Sequence, residues 1–378
     1  MNAVPIKANP KYRQVLDSLQ QELASGRYTD GQKMPSEADL VKRFGASRIT
    51  IGRAMRELQT LDLIERRAGS GTYARTAISS GLTFGLLIPN LGQTEIFEPI
   101  CQGMADAAQR GRHALLWGNA VDAGPAGEQA LDLCRQYIER KVSGVFFAPL
   151  ELTANSEAIN RQIIAALDEA RIPVVLLDRG YLPYPERDGH DLVGIDNRRV
   201  GFLAAEHLLA QGARRIGFVA RPHSAGTVEA RIAGYREALF RRGLPLEARL
   251  VRQFDAADRE ATQRFMEKEK PDAIVCANDH TAGDLMHSLL ALGFKIPADV
   301  RLMGIDDLRF ARVLPVPLTT VRQPTRDIGV VAMGVMLDRL KQPRLPARDV
   351  LLASQLIVRE SCGPADGSSR AAGNTRQG

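Results

Sequence analysis

Two kinds of hydrophobic pattern divide the chain. Up to about residue 61, apolar residues recur at helical spacing, as Val15, Leu19 and Leu23 do. From residue 83 onward, short uninterrupted apolar runs alternate with amphipathic segments. Helical spacing predicts amphipathic helices, whereas short apolar runs between polar segments predict buried strands. We therefore predict a small helical domain followed by a larger domain in which strands and helices alternate.

Three helices are predicted in the first part of the chain. The first covers about residues 12–26, and the second begins after Ser36 and ends at Gly45. The third begins after Ser47 and runs to about Leu61. Serine is a favourable residue before a helix, and glycine is favourable after one. Two short helices joined by a turn that contains glycine are typical of a helix-turn-helix.

A short hairpin is predicted directly after the third helix. Residues 63–67 and 72–75 flank the segment Ala68-Gly69-Ser70-Gly71, and both flanks carry arginine. Glycine at the tip allows a tight turn. A hairpin with basic flanks beside a helix-turn-helix predicts a winged helix.

The positive charge of the chain is concentrated in this first part. The 378 residues carry a formal net charge of +6. Residues 1–78 hold 13 Lys and Arg against 8 Asp and Glu, whereas the other 300 residues hold 37 against 36. A positive field confined to one small segment indicates a polyanionic partner, although a solvated basic face would show the same imbalance.

The third predicted helix carries side chains that suit DNA. Arg48, Thr50, Arg53 and Arg56 lie on its outer side. Arginine at the start of a helix can bind guanine O6 and N7 or a phosphate, and threonine can reach a phosphate or a thymine methyl group. The pattern therefore favours double-stranded DNA as the partner of this domain.

Residues 12–73 resemble the winged helix of the GntR family. The residues in register with the family motif are Pro35, Ser36, Glu37, Leu40, Phe44, Ser47, Arg48, Thr50, Leu58, Leu63, Ile64, Gly69, Gly71 and Thr72. Ala38 and Gly52 depart from it, since the family often has basic residues at both positions. The resemblance implies operator binding, and the predicted DNA contacts are Ser36, Ser47, Arg48, Thr50, Arg53, Arg67 and Gly71.

The larger domain is predicted to contain parallel sheets covered on both faces, because its strands are continuous apolar runs. Strands are predicted at residues 83–88, 114–117, 144–148, 173–177, 192–195, 215–220, 273–277 and 302–305. They are too many for one small sheet, which predicts two lobes. Ligands of such sheets bind beyond the carboxyl ends of the strands.

Polar residues stand at several of those predicted strand ends. Asp178, Asn278 and Asp306 each follow an apolar run, and Arg231 falls early in a predicted helix. Carboxylates, amides and an arginine in one cleft are suited to a polyol, whose hydroxyls both donate and accept hydrogen bonds. Phe97 could supply an apolar floor for a sugar ring. Asp196 and Asp279 are equally suited to capping helices, and we leave them out.

Residues 82–362 resemble the effector domain of the LacI/GalR repressors, which is related to periplasmic sugar-binding proteins. The matching stretches are residues 84–90, 173–178, 231–235, 276–279, 300–307 and 318–324. The resemblance implies effector contacts at Phe97, Asp178, Arg231, Asn278 and Asp306. A GntR-type front end on this domain is the combination found in AraR-like transcriptional regulators.

The resulting fold class is α/β, with an N-terminal winged helix-turn-helix and a two-lobed periplasmic-binding-protein-like domain of parallel sheets flanked by helices. The predicted boundaries are 10–75 for the DNA-binding domain, 76–81 for a linker, 82–362 for the effector-binding and dimerisation domain, and 363–378 for a disordered tail. We expect a homodimer, since a two-fold protein reads a palindromic site.

Several classes of site are not expected. The four cysteines lie far apart without metal-ligand spacing, and no catalytic residue, cofactor or metal is predicted. No apolar run is long enough for a membrane span, and the N-terminus lacks a signal peptide, which predicts a cytoplasmic protein without a membrane partner.

The function predicted is a sequence-specific regulator, most simply a repressor, controlled by a small-molecule effector. A monosaccharide is the family expectation, while a nucleoside or a phosphosugar stays open. Two other classes also remain: a regulator whose second domain only dimerises, and a sugar-processing enzyme on a similar sheet. The turn after the first predicted strand, Pro89-Asn-Leu-Gly-Gln93, is not a dinucleotide-binding GxGxxG, and the chain has no Walker A motif.

Overall fold

The computed structural model describes residues 11–24, 27–29, 31–61, 63–67, 69–74, 81–88, 95–118 and 125–363. Its chain forms two compact units, Met1–Leu82 and Thr83–Gly378. The predicted linker lies outside the described residues except for Gly81, and the predicted tail does so except for Gly363.

The first unit contains three helices and a hairpin. Its elements are α1 (Lys11–Ala24), α2 (Glu37–Phe44), α3 (Arg48–Thr60), β1 (Ile64–Arg67) and β2 (Gly71–Ala74). The two strands are antiparallel, with Ile64 opposite Ala74. Helix α2 ends at Gly45, whose φ of 57° suits glycine. Leu19, Leu40 and Met55, one from each helix, are fully buried in one small core.

The second unit is built from two lobes, and the first lobe contains a six-stranded parallel sheet. The strand order is β13-β7-β6-β5-β3-β4. The strands are β3 (Thr83–Leu87), β4 (Ala114–Trp117), β5 (Gly144–Phe147), β6 (Val174–Leu177), β7 (Asp191–Ile195) and β13 (Asp349–Leu352). The helices of this lobe are α4 (Phe97–Gly111), α5 (Ala126–Glu139), α6 (Ser156–Glu169) and α11 (Thr325–Lys341). Strands β5 and β6 are buried along their whole length, as expected for a sheet covered on both faces.

The second lobe contains a four-stranded parallel sheet of order β11-β10-β8-β9. Its strands are β8 (Ile216–Ala220), β9 (Val251–Gln253), β10 (Ala273–Cys276) and β11 (Arg301–Met303). Its helices are α7 (Asn197–Ala210), α8 (Gly226–Arg241), α9 (Arg259–Glu269) and α10 (Asp279–Ala291). The core of this lobe includes Phe265, Leu285 and Leu302.

The chain passes between the two lobes three times. It does so between β7 and α7, between β12 (Thr320–Arg322) and α11, and between β13 and β14 (Gln355–Ile357). Strands β12 and β14 pair antiparallel beside the second lobe, where Thr319 and Ser361 are hydrogen-bonded. The first lobe is therefore completed by α11 and β13 from the C-terminal part of the chain.

The predicted two-lobed α/β fold is confirmed, and each of the eight predicted strands forms. Strands β9, β12, β13 and β14 were not predicted; β9, β13 and β14 consist of half-buried and exposed residues, whereas β12 is mostly buried. Within the described residues, no helix combines the length and apolar character needed to cross a bilayer.

Candidate DNA-binding and effector sites

Helix α3 presents its first turn to solvent. Ser47 precedes the helix, and its Oγ accepts a hydrogen bond from the Thr50 amide at 3.2 Å. The two hydroxyl groups of Ser47 and Thr50 lie 2.8 Å apart. Arg48 is exposed and has no hydrogen bond or ion pair with the other residues that the structure describes. Its guanidinium is therefore available to an outside partner.

The other arginines of α3 are held within the unit. The guanidinium of Arg53 lies 4.0 Å from the centre of the Tyr12 ring, so Arg53 packs on α1. Arg56 donates from Nε to the Gly52 carbonyl at 3.3 Å. Both side chains remain exposed, but each is held by a contact within the first unit.

Ser36 takes part in the cap of α2. Its Oγ accepts from the Asp39 amide at 3.3 Å and donates to the Asp39 carboxylate at 2.6 Å. The carboxylate in turn accepts from the Ser36 amide at 3.1 Å, which completes a capping box. The Ser36 hydroxyl holds the pKa of Asp39 below its ordinary value. The predicted DNA contact at Ser36 thus coincides with a structural role.

The wing places Arg67 and Gly71 at its exposed end. Gly71 has a φ of 124°, and a side chain there would collide with Lys33. The guanidinium of Arg67 lies 4.5 Å from the centre of the Tyr73 ring and 3.2 Å from the Glu65 carboxylate. Glycine is therefore required by the backbone at the tip, and Arg67 is held along the hairpin.

The second candidate site lies between the two lobes. Asp178 follows β6 in the first lobe, whereas Asp306 follows β11 in the second lobe. Their φ values are 68° and 125°, a region that non-glycine residues seldom adopt and that often marks binding sites. Arg231 of α8 joins them, with its Nη2 atom 4.0 Å from Asp306 Oδ1.

Arg231 is fixed by contacts with its own lobe. Its side chain is 5% exposed, and Nε donates to Asn197 Oδ1 at 2.8 Å. Its Nη1 donates to the Ala277 carbonyl at 2.5 Å. Helices α7 and α8 approach so closely here that a Cβ atom on Gly234 would lie 1.8 Å from the Arg198 carbonyl oxygen. Two of the nitrogens of Arg231 are therefore already used.

Arg179 is a site residue that the sequence did not predict. Its guanidinium lies 5.5 Å from the centre of the Phe97 ring and 3.5 Å from Asp178 Oδ2. It donates from Nε to the Pro149 carbonyl at 3.0 Å and from Nη1 to Glu151. Phe97 is 1% exposed, so its ring is part of the base of the site beneath Arg179.

Asn278 caps a helix, whereas Asp279, one of the two residues set aside as possible caps, does not. Asn278, a predicted effector contact, caps α10 by accepting from the Thr281 amide at 2.8 Å. Asp279, which was set aside as a cap, is buried and accepts from Thr320 Oγ1 at 2.7 Å and the Leu308 amide at 2.9 Å. Asp196 does cap α7.

Two buried acceptor atoms in this cluster of side chains have no hydrogen-bond partner among the described residues. They are Asp178 Oδ1 and Gln323 Oε1, and each of these two residues is 4% exposed. The Gln323 amide nitrogen donates to Asp306 Oδ1 at 2.7 Å, which places Gln323 in the same cluster. A buried acceptor without a partner is costly and calls for a donor from elsewhere.

The carboxyl groups of the cleft have raised pKa values. Burial raises the pKa of Asp306 to about 8, against the opposing charge of Arg231. Burial also raises the pKa of Asp178, although the charges of Arg179 and Arg231 oppose the shift. Asp178, Asp306 and Arg231 thus lie within electrostatic reach of one another.

Comparison with known families assigns both units. Residues 11–74 match the model of bacterial regulatory proteins of the gntR family. Residues 205–362 match the model of a periplasmic binding protein-like domain. The chain joins a GntR-family DNA-binding domain to a periplasmic-binding-protein-like domain.

Similar proteins include transcription regulators. Over 370 residues the chain is 26% identical to an arabinose metabolism transcriptional repressor of Geobacillus stearothermophilus, covering 94% of this chain and 98% of that protein. It is 29% identical to the transcription regulator GntR of Chromobacterium violaceum, whose structure superposes with a TM-score of 0.58 over 74% of this chain and 99% of that one.

A second structure is similar in fold. It is a LacI family transcriptional regulator of Enterococcus faecium with bound ribose, with a TM-score of 0.61, 23% identity, and coverage of 75% of this chain and 100% of that one. The prediction of a DNA-binding transcription regulator is confirmed by these relatives and by the family matches.

Proposed function

We propose that this regulator is a cytoplasmic, non-enzymatic repressor that binds operator DNA as a homodimer and responds to a neutral sugar. The DNA-binding domain is residues 10–75, and the effector binds between the lobes of residues 82–362. The predicted contacts Phe97, Asp178, Arg231 and Asp306 belong to this proposed site, together with Arg179 and Gln323. Asn278 keeps its amide group for the effector, since only its oxygen caps α10.

The observation that carries the proposal is the pair of unpaired acceptors, Asp178 Oδ1 and Gln323 Oε1. A hydroxyl group is a donor that can satisfy such an atom, and adjacent hydroxyls on a ring can satisfy several at once. A site built to bond hydroxyls also rejects analogues that lack them, because its buried polar groups would stay unpaired. This supports a polyhydroxylated effector.

The charges of the site support a neutral sugar rather than a phosphorylated one. Each of the two guanidinium groups already donates from two of its three nitrogens to protein acceptors, Arg231 to Asn197 and Ala277 and Arg179 to Pro149 and Glu151. A phosphate would need free cationic donors, since binding a buried charge without a partner is unfavourable.

The functions of the relatives support the same class. One relative is a repressor of arabinose metabolism, and one structural neighbour holds ribose. L-Arabinose and D-ribose are therefore the first probes to use.

The proposal is tested by a thermal-shift panel on the full-length protein. L-Arabinose, D-ribose, cellobiose and ribose 5-phosphate are compared, and a bound sugar at 100 times its Kd adds about 2.7 kcal/mol of stability. A neutral sugar should shift the Tm and change affinity for an operator selected from random DNA. Arg231→Ala should lose the shift, while Arg236→Ala, an exposed arginine of the same helix, should keep it.

The outcomes separate the parts of the proposal. A shift only with ribose 5-phosphate would contradict the charge argument. A protein that binds its operator but responds to no sugar would favour a second domain that only dimerises. Turnover of a sugar in the same samples would favour an enzyme.

A further inference from the structure

One side chain, Glu151, connects the interior of the effector site to the opposite lobe. It follows β5 in the first lobe, and one of its carboxylate oxygens accepts from Arg179 Nη1. The other oxygen accepts from the Ala225 amide of the second lobe at 3.2 Å. Ala225 stands immediately before α8, the helix that carries Arg231. Glu151 therefore touches both lobes at the edge of the cleft.

A second bond crosses the cleft beside it. The Leu152 amide donates to the His223 carbonyl at 2.7 Å, and both residues have positive φ values, 63° and 58°. Residues other than glycine adopt positive φ angles at an energetic cost, so the surrounding contacts must hold Leu152 and His223 in place. We call Glu151, Leu152, His223 and Ala225 the clasp.

The clasp has a chemical link to the effector. Arg179 lies between Glu151 and the site, over Phe97 and beside Asp178. If the lobes separate, Glu151 loses its hydrogen bond from the Ala225 amide. Arg179 then stays bonded to a Glu151 carboxylate that is open to water. Taking the cleft as the effector site proposed above, we propose that Glu151 is a positioning residue that couples lobe closure to the effector pocket without touching the effector.

The bond between Glu151 and Ala225 can be removed from either end. Glu151→Ala removes the acceptor. Ala225→Pro removes only the amide donor, and the Ala225 φ of −64° is the value that proline adopts. If both substitutions act through one bond, their combination has no greater effect than the stronger single change. Glu157→Ala, an exposed glutamate of α6 in the same lobe, is the matched control.

The first readout needs no effector. The Leu152 amide reports closure, because it bonds across the cleft and no variant alters it. In hydrogen exchange on the ligand-free full-length protein, Glu151→Ala and Ala225→Pro should each speed exchange at Leu152 at least tenfold, with core strand β5 unchanged. Glu151→Gln, which keeps an acceptor oxygen, should give a smaller increase, and Glu157→Ala none.

The second readout is calorimetric binding of L-arabinose. Both variants should weaken binding about tenfold, the loss expected for one charge-assisted hydrogen bond. Wild-type exchange at Leu152 in both variants, or strictly additive effects in the double variant, would overturn the clasp. Absence of any sugar binding in the wild-type protein would contradict the proposed effector instead, and the exchange result would still decide the role of Glu151 in closure.

Discussion

Arginine is used in opposite ways in the two units of this chain. In the DNA-binding domain, Arg48 is exposed and has no partner among the described residues. In the effector domain, Arg179 and Arg231 are buried and bonded to fixed acceptors of the protein. Beside these two arginines, the buried atoms without a hydrogen-bond partner among the described residues include acceptors on Asp178 and Gln323.

This difference indicates what each unit can bind. A domain that leaves cationic donors free suits a polyanion, whose phosphates supply acceptors. A cleft that has used its cations and leaves acceptors free suits a neutral molecule rich in hydroxyl donors. The partner of each unit therefore follows from which atoms the fold leaves unsatisfied, more than from how many charges it contains.

The largest effect should come from removing the free cation. Arg48→Ala should weaken binding to a selected operator about 10- to 100-fold, because one good arginine contact to a base contributes about 1–3 kcal/mol. Binding to random DNA should weaken far less. Fluorescence anisotropy with both DNAs measures the two losses, and Arg13→Ala, an exposed arginine of α1, is the control.

Equal losses on operator and random DNA would show that Arg48 contacts phosphate only. In that case Arg48 supplies affinity without sequence preference. The slope of log affinity against log salt concentration should then be shallower in Arg48→Ala than in the wild type, by the amount expected for one phosphate contact.

A smaller effect is expected from pH on the effector domain. Burial raises the pKa of Asp306 to about 8, above that of the unfolded chain, so the folded protein holds an extra proton. This contribution to stability is present at low pH and is lost as the pH rises through about 8. Between about pH 6 and pH 8, the free energy of unfolding should fall by up to about 1.4 kcal/mol per pH unit.

Urea unfolding of the ligand-free protein at several pH values measures this slope. Asp306→Asn removes the titrating group and should flatten the profile relative to the wild type, while the contribution of Asp279, whose pKa burial raises to about 6, remains in both proteins. If the wild type and Asp306→Asn show the same dependence of stability on pH, the pKa of Asp306 is not raised by burial.

The smallest effect should separate capping from DNA contact in the first unit. Ser36→Ala should lower the stability of the DNA-binding domain by about 1 kcal/mol, because it removes the capping box of α2. Operator affinity should change less than about threefold. A tenfold loss of affinity at unchanged stability would instead make Ser36 a DNA contact, as its place in the sequence motif predicted.

The sequence was most informative where one physical rule acts locally. Continuous apolar runs predicted the central strands, because a strand buried on both faces can contain little else. The same rule cannot detect β13, an edge strand whose side chains are alternately exposed and half-buried. Its pairing with β7 depends on a contact between residues far apart in the chain.

The site was predicted less completely than the fold. Asp178, Arg231 and Asp306 were located from strand ends and resemblance, and the structure brings them together. Asn278 and Asp279 could not be told apart, since adjacent polar residues after a strand suit either capping or binding. Arg179, directly after Asp178, meets the same strand-end rule and could have been found. Glu151 and Gln323 acquire their contacts from residues far away in the chain, which no local pattern records.

The three passages between the lobes also set an order for synthesis on the ribosome. All four strands of the second lobe's sheet lie between α7 and β12, so the whole sheet has been synthesised before residue 325. The first lobe must wait for α11 and β13, which lie after that segment. A nascent chain thus carries an unfinished six-stranded sheet, with β7 exposed at its edge, beside a four-stranded sheet whose strands have all been made. Chaperone dependence and aggregation of this regulator should therefore arise in the first lobe, whose sheet begins first and is completed last.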